Sequence, residues 1–600
     1  MTPRFTPECV IAAGLADPGS RGDIDFDQAV DWREVVRILS ANRVPLSSLK
    51  DDPDLEARAS ILMSASDFRD AERAERVAGE DLRGEYVELR RVLLERGVQS
   101  ILLKSTGLAP SFPYTSDNVD TLVRLRDVTV AKQVLDSLGY VELRNIEEPN
   151  KWLFRKFRGG ESISAIHLHG VVGWGVSFVD DALVWRRARP SEDDPLVMVP
   201  APEDAFLVTV AHAFYENKSF KLLDIARMRH CLRDDELDFE SLESIARKRG
   251  WEDGLAFCLL LCSGLEAALY GETLVSDAVL ARARAIISRD RRLSSCLEET
   301  LKRDQGDFPF RVSFLLVKIL YYRKILRDQQ RPLSGRAWDT VSTLAWGVRQ
   351  KLQIKGQRGM IVSLSGIDGA GKTTHGRALV RAFETSETRA RLYWSRFGSS
   401  QHEGHNDRNG QPECNPMDIA SSLARRRRRL ENPMMRACWL TVNLVQYTAR
   451  CNLHVRVPRL LGAVVVCDRY TYDAMVEIQA SLSDGSRWSQ RAGWLVGRLC
   501  PRPNVAWLLD VGSEVSVERQ AEQGSDEAVC AELERQHSDF LALASANRLR
   551  ILVTSVDPEE TCSQLVRETL LEYFTDYQTW VSAIFLANPN QMNPAKGAGR

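Results

Sequence analysis

The stretch SLSGIDGAGKTTHGR, residues 363–377, carries the chain's most explicit chemistry. Gly366, four residues, Gly371, Lys372 and Thr373 have the spacing of a phosphate-binding loop, which Asp368, Gly369, Ala370 and Thr374 complete. Glycines let the backbone turn tightly enough for successive N–H groups to face phosphate oxygens, and a helix starting there adds its positive end. Lys372 is placed to neutralise the β/γ oxygens and the Thr373 hydroxyl to ligate magnesium. A bound nucleotide with Mg2+ as its cofactor follows as the expectation. A glycine-rich turn without a ligand is the plainer reading. Against it, apolar MIVSLS precedes the loop and GRALVRAF follows with helical spacing.

Two further groups of residues could do chemistry. In AVVVCDRYTYDAM an apolar run ends in Asp468, followed by Arg469 and Tyr470. Asp468 could then hold the magnesium shell while Arg469 clamps a phosphate in bidentate fashion. Earlier, LLKSTGLAPSFPYTSDNVDTLV places Lys104, then Asn118 and Asp120 two apart on a strand and so on one face; AIHLHG does the same for His167 and His169. One carboxylate with two imidazoles on strand faces is a group that could hold zinc or another imidazole-preferring metal, or hold none. The run Arg425–Arg429 covers every face of a helix, which suits a solvated surface; an anionic acceptor, an acidic surface or a lid role stay open.

The elements that must hold these residues divide the chain. From 25 to 330 the periodicity is helical, interrupted between about 100 and 170 by short β-like pieces around VTVAKQVLDSLGY. Residues 331–357 read as a linker with one helix. From 358 to 575 the strands MIVSLS, RLYW, AVVVCD, VAWLLD and RILVT alternate with helical stretches, the order of a parallel sheet covered on both faces, where ligands bind beyond the strands' carboxyl ends. Residues 1–24 read as an N-terminal tail and 576–600 as a disordered one.

Composition narrows the classes. A chain of 600 residues is long enough for at least two domains, and a net charge of -2 gives no argument for nucleic acid or a membrane surface. The twelve cysteines form no Cys-x-x-Cys pair, which favours free thiols in a reducing compartment. GLAFCLLLCSGLEAALYG, with Cys258 and Cys262 at helical spacing, is interrupted by Glu266 and short for a bilayer span, and the N-terminus lacks a signal pattern. A cytoplasmic protein without a membrane span is expected.

At GIDGAGKTT, CDRY and PRPNVAWLLDVGSEVSVERQ the chain resembles thymidylate kinase, over residues 358–575. That resemblance implies a P-loop kinase with a five-stranded parallel sheet, transfer of the γ-phosphoryl of ATP to dTMP with magnesium, and a homodimer. It implies that Gly369 to Thr374 cradle the donor, that Asp368 faces the acceptor's sugar, that Asp468 and Arg469 serve metal and acceptor phosphate, and that Arg519 lies near the lid. Arg396, Tyr470 and Asp473 fall at acceptor positions. There the chain departs from the family: WSRFGS keeps Arg396 and Gly398 but lacks the expected Glu-Pro, Asp473 replaces a serine, and MVEIQA replaces the residues that read thymine. A kinase for another phosphorylated acceptor and a nucleotide-binding regulatory module therefore stay open. A GTP switch is disfavoured, since no Asn-Lys-x-Asp follows the loop. Residues 25–330 resemble bacterial nucleotidyltransferases of the polymerase-β type, whose Leu-Lys-Gly, Asp-x-Asp and Asp-Leu-His blocks fall on Lys104, on Asn118 with Asp120, and on His167 with His169. An active member holds two magnesium ions on three carboxylates; with two of the three replaced, one carboxylate cannot carry two hard cations, so a lapsed site is implied and ordinary magnesium-dependent nucleotidyl transfer is not expected there.

Overall fold

A computed structural model describes residues 4–17, 30–46, 65–104, 118–143, 150–191, 195–302, 308–355, 358–398, 430–482, 487–512, 515, 527–555 and 557–584. Arg519, the run Arg425–Arg429 and the final residues from 585 lie outside them. We number only the strands of the two five-stranded sheets and the helices that position the sites.

The first sheet has the order β1 (Ser100–Leu102), β2 (Val119–Val123), β5 (Glu161–His169), β4 (Lys151–Arg158), β3 (Val141–Glu142). Only β2 and β5 pair in parallel; the other three pairings are antiparallel. Helices α1 (Ala65–Glu95) and α2 (Val128–Ser137) back this sheet, and Tyr86, Leu89, Val134 and Leu135 close a small core with Val119, Ile166 and Leu168. The α/β reading of residues 100–170 found β1, β2 and β5 but missed β3 and β4. KWLFRKFR mixes basic and aromatic residues and gives no clean alternation, because one face of it meets other parts of the chain rather than water.

A larger helical core adjoins the sheet. At its centre runs α3 (Glu252–Tyr270), whose Leu255, Phe257, Leu261 and Leu265 are almost fully buried. By length and composition α3 could cross a membrane, but most of it is enclosed by protein. The first residues are not the tail expected: Pro7–Ala16 form a helix, capped by the Thr6 hydroxyl, with Cys9, Ile11, Ala12 and Leu15 inside this core. Asp17 behind that helix holds Arg229 and Arg233, and the Tyr270 hydroxyl donates to the Ala13 carbonyl. An apolar ten-residue stretch with a good cap is retained as structure because the core has a place for it. Helices α4 (Phe314–Arg327) and α5 (Leu333–Lys355) lead out of this half.

The second sheet is wholly parallel, with order β7 (Ala390–Trp394), β8 (Val464–Asp468), β6 (Ile361–Ser365), β9 (Val505–Asp510), β10 (Arg550–Val553). The runs IVSLS and VVVCD are buried at every position, as a central parallel strand covered on both faces requires. The chain order reverses around β6, so the crevice beyond its carboxyl end is the natural ligand position. Helix α6 (Lys372–Thr385) follows β6; α7 (Thr471–Leu482), α8 (Glu527–Asn547) and α9 (Pro558–Ile584) complete the covering used below. Because α9 runs to Ile584, residues 576–584 are helical, not the disordered tail expected.

The two sheets meet through helices. Val141, Leu143 and Phe157 of the first share a core with Leu379 and Phe383 of α6 and Leu565 and Val566 of α9. At the β4–β5 turn the Gly159 N–H donates to Ser563 Oγ at 3.0 Å and Arg381 pairs with Glu161 at 2.9 Å, while Arg567 reaches Asp136 on α2 at 2.9 Å. Helix α6, which starts at the glycine loop, is therefore also a wall for the strand that bears His167 and His169.

Candidate functional site

The glycine loop leaves β6 and enters α6 at Lys372. Gly369 and Gly371 have φ of +86° and +82°, a left-handed backbone that other residues rarely adopt. At Gly366 a Cβ would stand 2.5 Å from the Leu509 carbonyl oxygen, so the close passage of β9 also requires glycine. Lys372 Nζ donates to the carbonyl oxygens of Gly366 and Ile367, each at 2.8 Å, and is buried. Burial, with Arg469 nearby, lowers its pKa. Ala370 packs inside while Thr374 is exposed one residue beyond Thr373.

The register Leu364↔Asp468 brings the end of β8 beside this loop. Thr373 Oγ1 donates to Asp468 Oδ2 at 2.5 Å, joining the two side chains expected to serve magnesium. Arg469, in a left-handed conformation at φ +68°, bonds through Nη2 to Asp368 Oδ1. Burial alone would raise the Asp368 pKa, but the charges of Arg469, Lys372 and Arg396 hold it well below the usual range. Lys372, Thr373, Asp468, Arg469 and Asp368 thus form one charged group at the carboxyl ends of two adjacent strands.

The acceptor positions are arranged differently. Tyr470 is fully buried and donates its hydroxyl to the Pro501 carbonyl at 2.9 Å, which turns it away from the loop and into the core. Asp473 is also buried; its Oδ2 accepts from Ser365 Oγ at 2.7 Å and from the Tyr470 N–H at 3.1 Å, tying the start of α7 to the end of β6. Burial pushes its carboxyl up to about 6. Arg396 donates from Nε to Glu477 Oε1 at 2.7 Å, and Glu477 Oε2 accepts from the Phe397 N–H at 2.8 Å. Sequence reasoning did not name Glu477, although it lies four residues after Asp473 and so on the same helical face. It also passed over Asp510, which ends β9 as Asp468 ends β8, and its partner His537 on α8 at 2.7 Å.

On the first sheet the expected cluster does assemble. β2 and β5 run in parallel with Asp120 opposite His167 and Leu122 opposite His169. Asp120 Oδ1 lies 2.9 Å from His169 Nε2, 3.3 Å from His167 Nδ1 and 3.1 Å from Lys104 Nζ. Burial would raise the Asp120 pKa, yet the Lys104 charge and the two imidazoles hold it well below the carboxylate range. Burial pushes His169 down to about 4 and His212 down to about 3, so both rings are neutral at physiological pH. Asn118 precedes β2, next to this cluster in sequence. The site contains one carboxylate and two imidazoles and lacks the oxygen-rich set that a magnesium pair needs, so the donors do not fit that ion.

A cavity of about 830 Å³ lies on this side of the molecule, not at the glycine loop. It joins the end of β5 to α4 and α5: Asn150, whose carbonyl accepts from the Gly170 N–H, and Glu216 line it together with Trp174, Tyr321, Lys318 and Arg331. Glu216 faces His212 at 3.2 Å and Lys151 at 3.2 Å.

Comparison with known proteins agrees with both sequence resemblances. Residues 28–265 match the model of a family described as an uncharacterised nucleotidyltransferase. Over 223 residues the chain is 26% identical to a probable thymidylate kinase of Pyrococcus abyssi (strain GE5 / Orsay), an alignment covering 35% of this chain and 95% of that protein. The chain is thus similar in one part to a nucleotidyltransferase family and in another to a nucleotide kinase, and what the two similarities share is nucleotide-related group transfer.

Proposed function

We propose that residues 358–575 transfer the γ-phosphoryl group of ATP to the phosphate of a nucleoside monophosphate, with dTMP as the first acceptor to test. The observation that supports this most is the joining of Thr373 to Asp468 and of Arg469 to Asp368 at the ends of β8 and β6. A hydroxyl and a carboxylate, both hard oxygen donors, suit magnesium, which when bound supplies neutralisation of the β/γ oxygens. The chain's own residues do the rest. The loop N–H groups hold the donor phosphates, Lys372 turns from its carbonyl partners to the β/γ oxygens, and Arg469 holds the acceptor phosphate so that its oxygen attacks the γ-phosphorus as ADP leaves. Asp473 supports the geometry from behind by fixing Ser365 and the start of α7.

A second reading, an acceptor other than dTMP, draws on Glu477. This carboxylate occupies Arg396 and offers an acceptor of hydrogen bonds, which suits sugar hydroxyls better than a thymine carbonyl. A coupled ADP-release assay over nucleoside monophosphates and phosphorylated sugars separates the possibilities. Turnover raised above the ATP-only background by dTMP supports the first reading, and by a phosphosugar alone the second. If no acceptor raises it, transfer is ruled out and a nucleotide-binding regulatory module is left.

A further inference from the structure

We infer that Asp120, His167 and His169 form a binding site for a single imidazole-preferring transition-metal ion, zinc in the first instance. The ion would occupy the position where the nucleotidyltransferase resemblance implies magnesium.

The first support is convergence. The three residues offer ligand atoms that all lie within 4.8 Å of one another. They come from two strands hydrogen-bonded in parallel, and the alternation of β5 sends His167 and His169 to the same face as Asp120. The rigid backbone therefore fixes the spacing, as a preorganised metal site needs and as a chance meeting of surface side chains does not supply. The second support is a poorly satisfied nitrogen. His167 Nδ1 is buried and makes no hydrogen bond, although it faces Asp120 Oδ1 at 3.3 Å. Its contact with Asp120 is a long ion-pair approach outside hydrogen-bonding geometry, and coordination would satisfy the buried nitrogen better.

The third support is the donor chemistry. Two imidazole nitrogens and one carboxylate oxygen are a zinc-type set that leaves a fourth position open. Magnesium, which prefers six oxygens in octahedral array, would find one side-chain carboxylate here. Exchanging carboxylate for imidazole at His167 thus changes the metal preference of the site as well as its charge.

Lys104 acts against the ion. Its ammonium lies 3.1 Å from the same Asp120 oxygen and fills part of the charge role a cation would take. Metal entry requires Lys104 to withdraw, so removing its charge should tighten binding. The competing account is that Asp120 is simply a buried carboxylate satisfied by one lysine and two histidines. That account predicts no metal at all.

The full-length protein, stripped with a chelator and dialysed against zinc, tests this independently of phosphoryl transfer. We expect one tightly held zinc per chain by elemental analysis, a visible absorption band when cobalt replaces it, and no displacement by excess magnesium. His167→Gln and His169→Gln should each weaken binding by more than about tenfold. Lys104→Met should strengthen it. The inference is overturned if the folded wild-type chain takes up no more zinc than the His167→Gln/His169→Gln double variant. It is equally overturned if wild-type and Lys104→Met bind none, a result that needs no variant at a ligand position.

Discussion

Each half of the molecule sets a carboxylate on a strand that pairs in parallel with a neighbour: Asp120 on β2 beside β5, and Asp468 on β8 beside β6. What surrounds the two acids differs. Asp468 meets a hydroxyl on a helix that opens from a glycine loop, so its site offers backbone N–H groups, a helix end and two cations to an incoming phosphate. Asp120 meets two imidazoles and an ammonium. On the proposed function the first arrangement is an anion site that a phosphate completes, whereas in the second Lys104 already lies against the acid. Similar placement on a sheet thus carries two chemistries, and the side chains gathered around each acid, from strand, helix or loop, decide between them.

Lys372→Ala should break the comparison most severely. Its ammonium is the positive centre of the loop, and removing a charge aimed at a transferring phosphoryl group costs on the order of 10²–10³ in kcat. The folded state should change little, because Lys372 spends its hydrogen bonds on two carbonyls that water can reach once it is gone. Steady-state kinetics beside a thermal melt distinguish the two effects; an equal loss in both would mean the lysine is structural. The corresponding change at the other acid, Lys104→Met, carries the opposite expectation, tighter cation binding.

Gly160→Ala acts on the wall the two sites share and comes next in size. Gly160 has φ +90°, and a Cβ there would lie 2.6 Å from Ala378 Cβ and 2.8 Å from its Cα on α6. Strain and overlap with backbone atoms should together cost about 2–3 kcal/mol, read as a lower melting temperature. If the two sheets melt as one unit through this contact, a single transition moves down. A melt unchanged within error would show that the contact contributes nothing.

The second site was far more legible in sequence than the first. The glycine loop and Asp468 announce themselves because a parallel sheet converts local strings, an apolar run and then a polar end, directly into a position at the sheet's edge. Their five strands read correctly for the same reason. Tyr470 did not: its neighbours Asp468 and Arg469 face the ligand edge, but the next residue turns inward, and only the packing of Cys451, Val496 and Cys500 around it decides that. Glu477 was invisible as a partner of Arg396 because the pair is 81 residues apart. On the first sheet, Asp120 and the histidines were found by spacing, while β4, the strand that completes the sheet and meets α9, hid behind basic residues. The buried helix Pro7–Ala16 was missed because an apolar segment at a chain end gives no sign of whether a core awaits it.

The smallest predicted effect sharpens the contrast between buried acids. Asp120 is held well below the usual range by charged partners, whereas Asp473, with only a hydroxyl and an amide N–H as direct partners, is pushed up to about 6 by burial. Since its unfolded pKa is near 3.8, the folded chain binds more protons between roughly pH 4 and 6, and this group's contribution to stability falls as pH rises through that window. Asp473→Asn keeps an oxygen for Ser365 Oγ and the Tyr470 N–H but cannot ionise. Relative to wild type it should therefore gain about 2 kcal/mol between pH 4 and pH 7, less than the full pKa displacement because the unfolded carboxyl is already half ionised at pH 4; the amide N–H2 that stands in place of the unbonded Asp473 Oδ1 costs the same at both pH values. Urea melts at the two pH values measure it. A difference that stays flat, or runs the other way, would mean that Lys372 and Arg469 hold Asp473 as firmly as Lys104 holds Asp120, and the two acids would then differ in partners but not in proton affinity.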